Sequence, residues 1–347
     1  MNSRERVFAM LDGHSVDRLP VMPITMMFAA RQAGKPYRQY VTDHRILAEG
    51  QLRTAERFGF DHVSAISDPA REAVDLGATV QFFEDQPPAF VEADALLADK
   101  ARLAHLRIPD PLAGGRMTDR VLGIRLLRER AGDDRIVEGW IEGPCGEASG
   151  LRGINTLMTD FTDDPQFVSD LLAFVVEMET VFARAQIEAG ADLIGMGDPA
   201  SSLIGPRLYR KHIGPLHREL VNRIHAMGAR VRLHICGSTR TILEDLAAVG
   251  ADIVDVDAVV DIGEARARMG PGQVLLGGID PVRVFVKGTP ELVRQKAYKC
   301  EAGAGPRYIL GAGCELPPET PPANVHALRE YAARERSGIA RQSTNVS

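Results

Sequence analysis

The chain has 347 residues, of which 45% are hydrophobic and 25% are charged, and its formal net charge is -6 at pH 7. This composition is typical of a soluble globular protein, and the negative charge argues against a nucleic-acid partner, which normally requires a basic face. No stretch approaches the ~20 consecutive apolar residues of a membrane span, so we expect no membrane partner.

The N-terminal stretch MNSRERVFAMLDG has the pattern of a charged amphipathic helix. It lacks the apolar segment that a secretory signal requires, which predicts a cytoplasmic protein. Four cysteines in a chain of this length do not form a disulfide framework. We therefore expect them to be thiols, metal ligands or packed core residues.

Short apolar runs alternate with helical patterns along the chain, an alternation that predicts a parallel sheet with crossover helices. The eight runs are residues 20–25, 61–67, 135–143, 191–198, 229–236, 251–257, 273–280 and 307–313. Helical patterns cover 44–58, 165–189 and 207–227. In AGADLI and VGADIV, a glycine ends one helix shortly before the next strand begins. We predict a (β/α)8 TIM barrel, with residues 1–347 as a single domain; a two-domain doubly wound protein is the alternative.

Residues 69–134, between the second and third runs, depart from this repeat. GATVQFFEDQPPAFV (77–91) has the pattern of a β-hairpin with DQPP at its turn, and two helical patterns follow it. We predict that 69–134 is an insertion over one end of the barrel and acts as a lid.

Polar residues cluster where the apolar runs end. Functional groups of such barrels collect at the carboxyl ends of the strands. The residues at these ends are Asp68, Glu142, Cys145, Asp198, His234, Cys236, Asp255, Asp257, Asp280 and Cys314. The opposite ends carry no comparable set, so we expect the functional site at the carboxyl rim.

Three of these rim residues form a candidate zinc site. His234 and Cys236 are separated by one residue on a strand, so their side chains leave the same face. Cys314 follows the eighth run, and closure of the barrel brings distant strand ends together. Two thiolates and an imidazole suit zinc better than magnesium or calcium, and three protein ligands leave a position open for substrate or water. A packed-core role for each cysteine is the alternative.

Other residues of these types have simpler interpretations. Cys145 lies on a rim loop and is either a fourth ligand or part of the pocket wall, whereas Cys300 lies on a helix and is expected to pack. Asp280 precedes a proline and is expected to cap a helix. The histidines on the 207–227 helix are expected to be surface or packing residues; they are His212, His217 and His225.

Long stretches of the chain resemble the uroporphyrinogen decarboxylase superfamily, and in particular its zinc-dependent, cobalamin-linked methyltransferase branch. In the second half they are LHICGSTRTILEDLAAVGADIVDVDAVVD, LLGGIDPVRVFVKGTPELV and YILGAGCELPPETPPANVHAL. In the first half, the stretches that resemble the same superfamily are VDRLPVMP, RQAGKPYRQY and AISDPAREAVDLGATVQFFEDQPP. The resemblance covers nearly the whole chain and implies a (β/α)8 barrel.

The methyltransferase branch carries H-x-C on the fifth strand and a cysteine in G-C-x-[IL]-P-P-x-T-P after the eighth. His234, Cys236 and Cys314 match both motifs. The resemblance thus favours the methyltransferase branch and identifies these three residues as zinc ligands.

The decarboxylase branch uses no metal and carries R-Q-A-G near the N-terminus and an aspartate after the second strand. Arg31 and Asp68 match these motifs, whereas Lys35 stands where decarboxylases have arginine and Cys314 where they have histidine. Their substrates are rich in carboxylates and require a basic cleft, but the rim here is acidic. A metal-free decarboxylase acting on a tetrapyrrole is the alternative, and other zinc-dependent thiol or hydrolytic chemistry is a third.

The methyltransferase resemblance implies methyl transfer between a corrinoid and a small thiol, or another methyl donor or acceptor. The cobalamin would be carried by a separate corrinoid-binding protein, because one barrel uses up the chain. Zinc would hold a substrate thiolate for attack on methyl-Co(III), or act as a Lewis acid on a methyl donor in the reverse direction.

The remaining rim residues receive candidate roles in this scheme. Asp68 and Asp198 are candidate catalytic residues, Arg31 and Glu142 are candidate substrate-binding residues, and Glu142 is also a candidate exchangeable fourth ligand. A purely structural hydrogen-bonding role is the alternative for the three carboxylates. A homodimer is a further expectation.

Overall fold

Nine strands form two sheets in the computed structural model, which describes residues 1–334. The strands are β1 (His62–Ser64), β2 (Val80–Gln81), β3 (Ala89–Phe90), β4 (Ile136–Glu142), β5 (Leu193–Gly197), β6 (Arg230–His234), β7 (Ile253–Val256), β8 (Val274–Gly277) and β9 (Tyr308–Ile309). Seven of them form one parallel sheet in the order β1, β4, β5, β6, β7, β8, β9, and β2 pairs with β3 in an antiparallel hairpin.

An irregular segment near Val21 occupies the eighth position and connects the two edges of the large sheet. Val21 forms a parallel bridge with Leu310, next to β9. On the other side, the backbone N–H of Asp61 donates to the carbonyl oxygen of Val21 at 2.9 Å. Each of the eight predicted runs therefore contains a strand or this bridge, and the prediction of a (β/α)8 barrel is confirmed.

Helices surround the sheet and connect its strands. The α-helices are α1 (Ser3–Leu11), α2 (Met27–Gln32), α3 (Tyr37–Thr42), α4 (His44–Phe58), α5 (Arg71–Asp75), α6 (Gly115–Ala131), α7 (Pro144–Arg152), α8 (Ile154–Asp163), α9 (Pro165–Glu188), α10 (Gly205–Leu208), α11 (Gly214–Ala226), α12 (Leu243–Val249), α13 (Ile262–Met269), α14 (Pro290–Ala304) and α15 (Pro322–Ala333). Among residues 1–334, no helix has the length and apolar character needed to cross a membrane.

Local sequence sets the limits of α4, which has the predicted bounds. The Asp43 side chain accepts a hydrogen bond from the backbone N–H of Arg45 and caps the first turn, and Gly59 ends the helix at a φ of 69°. The left-handed conformation at Gly59 is accessible to glycine at little cost. The predicted helix over 207–227 is instead divided into α10, a π turn at Tyr209–Ile213 and α11.

The segment 69–134 contains the predicted hairpin, formed by β2 and β3. Two short 3-10 helices follow, at Glu92–Asp94 and Lys100–His105. The long helix α6 packs against α4, β4 and α9, so it belongs to the ring of helices around the barrel. The inserted hairpin and helices are therefore present, whereas the extent of the insertion and its action as a lid stay predictions. Residues 335–347 of the predicted single domain lie outside the described residues.

Charged side chains fill part of the barrel interior. Arg232 on β6 is fully buried and makes a bidentate ion pair with Asp255 on β7, with N···O distances of 2.9 and 2.8 Å. The same guanidinium lies 3.3 Å from Glu138 on β4, which lies 3.7 Å from His62 on β1. This chain of buried charges lies directly beneath the carboxyl rim.

A second buried ion-pair network joins the first strand position to β1. Asp61 is fully buried and accepts hydrogen bonds from Arg6 at 2.6 Å and from Arg18 at 2.8 Å. Its carboxylate also accepts from the backbone N–H of Val21 at 2.8 Å. One carboxylate therefore fixes the segment that closes the barrel.

We predict that Asp61→Ala destabilises the protein by more than about 2 kcal/mol, because it leaves the buried backbone N–H of Val21 without an acceptor and removes one of the two carboxylates that pair with the buried Arg6. The measurement is urea denaturation followed by circular dichroism. The matched control is Asp12→Ala, which removes a half-exposed pair with Arg230 and should cost less than about 1 kcal/mol. Equal stabilities for Asp61→Ala and the wild type would contradict this role.

Candidate metal centre

The structure brings His234, Cys236 and Cys314 together at the carboxyl rim, and we call this group the candidate metal centre. Nε2 of His234 lies 3.1 Å from Sγ of Cys236 and 3.8 Å from Sγ of Cys314, and the two sulfurs are 3.7 Å apart. All three donor atoms lie within 4.8 Å of one another. His234 is buried and the cysteines are half-buried, so the group has a protein-lined inner side and an open outer side.

Asp255 orients the imidazole of His234. Nδ1 of His234 lies 2.9 Å from a carboxylate oxygen of Asp255, whose other contacts are with Arg232. A hydrogen bond at Nδ1 leaves Nε2 free to act as a ligand, and Nε2 is the nitrogen that faces the cysteines. This carboxylate–histidine arrangement is common around zinc, where it fixes the tautomer and the ring orientation.

The two cysteines have opposite acid–base character. The hydrogen bond from Cys236, with help from His234, lowers the pKa of Cys314 to about 4. The same hydrogen bond raises the pKa of Cys236. Burial favours the neutral form of His234, but the hydrogen bonds to Asp255 and Cys314 outweigh it and raise its pKa to about 10. The contact between the two sulfurs and the nearby imidazole thus favours one thiolate in this pair.

Two further carboxylates fix the segments that follow these cysteines. Asp257 accepts a hydrogen bond from the backbone N–H of Gly237 at 2.8 Å, next to Cys236. Glu315, next to Cys314, accepts from the backbone N–H groups of Met26 and Met27 at 3.1 and 2.7 Å. The segments that carry the two sulfurs are therefore each held by a carboxylate–backbone contact.

Asp198, the candidate catalytic residue after β5, is fully buried and engaged by its neighbours. Its oxygens accept hydrogen bonds from the backbone N–H groups of Cys145 and Gly146 at the start of α7, at 3.3 and 2.7 Å. One oxygen also lies 2.7 Å from Nε2 of His217, whose Nδ1 contacts the hydroxyl of Tyr209. These contacts favour a role in positioning α7, and a catalytic role stays a prediction.

Asp68, the second candidate catalytic residue, also has internal partners for both oxygens. It forms an ion pair with Arg116 at 2.6 Å and accepts from the Ser67 hydroxyl and the backbone N–H of Ala70. Burial opposes its charge, but Arg116 and Arg71 outweigh burial and lower the pKa of Asp68.

Arg31 is exposed on α2 and donates to the carbonyl oxygen of Pro318 at 2.8 Å. Pro318 lies in the loop that begins at Cys314. Arg31 thus contacts the loop beside the candidate metal centre, while binding of substrate by Arg31 stays a prediction.

Glu142 belongs to a buried cluster of acidic side chains around one arginine. It accepts from Arg71 at 2.9 Å, and Arg71 also pairs with Glu72 at 3.1 Å. Glu147 and Glu179 complete the cluster, and neither has a hydrogen-bond partner at either oxygen among residues 1–334. Burial raises the pKa of Glu142 to about 8 and holds those of Glu147 and Glu179 well above the usual range. This cluster is separate from the three donor atoms of the candidate metal centre.

Neither this cluster nor the support of His234 by Arg232 was predicted from the sequence. The four glutamates come from α5, β4, α7 and α9, and only the folded chain shows which of them meet. The spacing in the sequence could have indicated Arg232, because it lies two residues before His234 and therefore shares the same face of β6.

The two remaining cysteines and Asp280, the predicted helix cap, have structural roles. Cys145 is fully buried on α7 and lies outside the donor group, and Cys300 is buried on α14, as expected of packing residues. Asp280 accepts hydrogen bonds from the backbone N–H groups of Val282 and Arg283, which confirms the predicted cap.

We predict that the free energy of unfolding of Glu147→Gln, relative to that of the wild type, is higher at pH 8 than at pH 5. Because folding raises this carboxyl's pKa, the wild-type protein loses stability as the pH rises above the value of an unfolded glutamate. Glutamine does not ionise, and any cost of its unpaired amide is the same at both pH values.

The measurement is urea denaturation at each pH. Glu291→Gln, at a side chain that is 81% exposed, should show no such difference. A Glu147→Gln effect that does not change between pH 5 and pH 8 would contradict the elevated pKa.

Comparison with known proteins gives relatives over almost the whole chain. A methylcobamide:CoM methyltransferase, MtbA of Methanosarcina mazei, is 29% identical over 342 residues, which cover 96% of this chain and 98% of the relative. A uroporphyrinogen decarboxylase of Streptomyces avermitilis is 28% identical and covers 90% of this chain and 91% of its own length.

Solved structures agree on the fold. A methyltransferase from Methanosarcina mazei superimposes with a TM-score of 0.88 at 24% identity and covers 96% of this chain and 98% of that structure. A B12-independent methionine synthase from Shewanella sp. W3-18-1 has a TM-score of 0.54 at 13% identity and covers 84% and 85% of the two chains. The family described as uroporphyrinogen decarboxylase (URO-D) matches residues 2–335. This match confirms the resemblance found in the sequence: the chain belongs to the uroporphyrinogen decarboxylase family.

Proposed function

We propose that this protein is a zinc-dependent methyltransferase that moves a methyl group between a corrinoid carried by a separate protein and a small thiol or other methyl donor or acceptor. The observation that carries the proposal is the convergence of His234, Cys236 and Cys314 within 4.8 Å of one another. The relatives named methylcobamide:CoM methyltransferases support methyl transfer and a corrinoid-protein partner.

The chemistry of the donor set fits zinc. Two sulfurs and one imidazole nitrogen are ligands that zinc prefers, and Asp255 already holds the imidazole with Nε2 toward the sulfurs. Zinc bound by these three ligands would supply Lewis acidity that keeps a substrate sulfur deprotonated at neutral pH. The half-buried sulfurs leave the outer side of the group accessible to a small molecule.

In this proposal, the residues around the candidate metal centre bind and orient the substrate. Glu142 pairs in register with Gly197, which pairs with His234, so the Glu142 backbone lies at the level of the candidate metal centre. We therefore retain Glu142 as a substrate-binding residue that can also accept a proton. Arg31 is proposed to contact substrate at the rim, and Asp68 and Asp198 to maintain the rim and take part in proton handling.

We predict that the protein purified under reducing conditions contains about one zinc per chain, and that Cys236→Ser or Cys314→Ser removes it, because each substitution deletes a soft ligand. Elemental analysis of the purified chains is the measurement. Cys300→Ser, at a buried cysteine outside the group, should retain zinc. A metal-free wild-type protein would overturn the zinc proposal and favour the metal-free decarboxylase.

We predict that the protein, mixed with a methyl-Co(III) corrinoid protein and a small thiol, produces the absorbance of Co(I) as the methyl group passes to sulfur. His234→Gln, which removes the nitrogen ligand, should abolish the change. The opposite outcome is a zinc-containing protein that leaves the methyl-Co(III) spectrum unchanged with every thiol and methyl donor. That result would instead support zinc-dependent thiol or hydrolytic chemistry without methyl transfer.

A further inference from the structure

A small apolar wall lies apart from the main hydrophobic core. It consists of Ile24, Ile66 and Trp140, with the half-buried Met26 packed against them. These three side chains are 4–5% exposed. They come from adjacent positions in the barrel: the closing segment, the residues after β1, and β4. We call this group the apolar wall.

The apolar wall borders the candidate metal centre on two sides. The Trp140 ring centroid lies 6.5 Å from that of His234. The carbonyl oxygen of Ile24 accepts a hydrogen bond from the backbone N–H of Leu316 at 2.9 Å, two residues after Cys314. The wall is thus attached to both segments that supply the donor atoms.

Two glycines of β5 make room for the Trp140 side chain. A Cβ atom on Gly195 would overlap the six-membered ring of the indole, and one on Gly197 would lie 3.1 Å from its Nε1. Gly197 is the residue that pairs with His234. The N–H end of the indole therefore lies toward the carboxyl ends of the strands, at the level of the candidate metal centre.

The position of Trp140 is held by its backbone, whereas its indole N–H is free. Gln186 of α9 accepts from the backbone N–H of Trp140 at 2.8 Å and donates to its carbonyl oxygen at 3.1 Å. Within the described residues, the indole N–H donates to no protein group. The indole nitrogen is not among the buried polar atoms of residues 1–334 that lack a partner, so it is open to the rim, where it can donate to water or to a bound molecule.

The buried arginines near these strand ends have no spare charge to offer an anion. Arg71 pairs with Glu142, Arg116 with Asp68, and Arg232 with Asp255, at distances of 2.6 to 2.9 Å. A sulfonate or carboxylate placed against the apolar wall would lose hydration without gaining any of these three guanidinium groups as a partner, which is costly.

We propose that the apolar wall binds the carbon portion of an uncharged small thiol or methyl thioether, with its sulfur toward His234, Cys236 and Cys314 and the indole N–H of Trp140 as hydrogen-bond donor. This inference rests on the proposed function for the identity of the sulfur-containing group. It adds the class of substrate, which is neutral and apolar.

The experiment uses the fluorescence of Trp140, the chain's single tryptophan, so it requires neither methyl transfer nor a partner protein. Butane-1-thiol and butyl methyl sulfide are titrated against 2-mercaptoethanesulfonate. The neutral ligands should bind at least about tenfold more tightly, since their extra methylene groups are buried against the wall.

Two substitutions test the wall directly. Ile66→Val should weaken butane-1-thiol binding about fourfold, the effect of one lost methylene contact. The matched control is Ile141→Val, on β4 but in the main core, which should leave affinity unchanged. Trp140→Phe keeps an aromatic ring and removes the donor, and calorimetry should show about fivefold weaker binding of the thioether.

The outcomes separate this inference from the proposed function. Neutral ligands that bind with the predicted dependence on Ile66 support the wall, even in a protein that lacks zinc. Preferential binding of 2-mercaptoethanesulfonate that is lost in Arg31→Ala would overturn the wall, even in an active methyltransferase. Equal effects of Ile66→Val and Ile141→Val would also overturn it.

Discussion

The contact between Asp255 and His234 connects the interior of the barrel to its rim. It holds the imidazole with Nε2 toward the two sulfurs, where the three donor atoms meet. Asp255 is buried and requires a counter-charge, which Arg232 supplies through a bidentate contact. Breaking a buried charge pair is costly, so this charged interior makes the position of His234 hard to change.

The alternation of side chains on β4, β5 and β6 places the other functional groups. Glu138, Trp140 and Glu142 share one face of β4, and Arg232 and His234 share one face of β6. Between them, β5 contributes Gly195 and Gly197, where a larger side chain would occupy the space of the indole. The register of β4, β5 and β6 therefore determines the positions of both the candidate metal centre and the apolar wall.

Much of the fold and the donor group could be predicted from the sequence. The strand positions follow from short apolar runs, and His234, Cys236 and Cys314 follow from strand ends that meet at the rim of a barrel. The first run forms a bridge rather than a strand, because Pro20 and Pro23 lack backbone donors. The surroundings of Asp198 were not predictable, since His217 approaches it from α11 and no local pattern links the two.

The separation of Cys236 and Cys314 gives the rim a redox property. Two thiol sulfurs 3.7 Å apart need only a small movement to reach the bond length of a disulfide, about 2.05 Å. Since the same sulfurs would be needed to hold a cation, oxidation of the pair and occupation of the site would be mutually exclusive states. Exposure to oxidants would then remove the two sulfur ligands, and a thiol reductant would restore them.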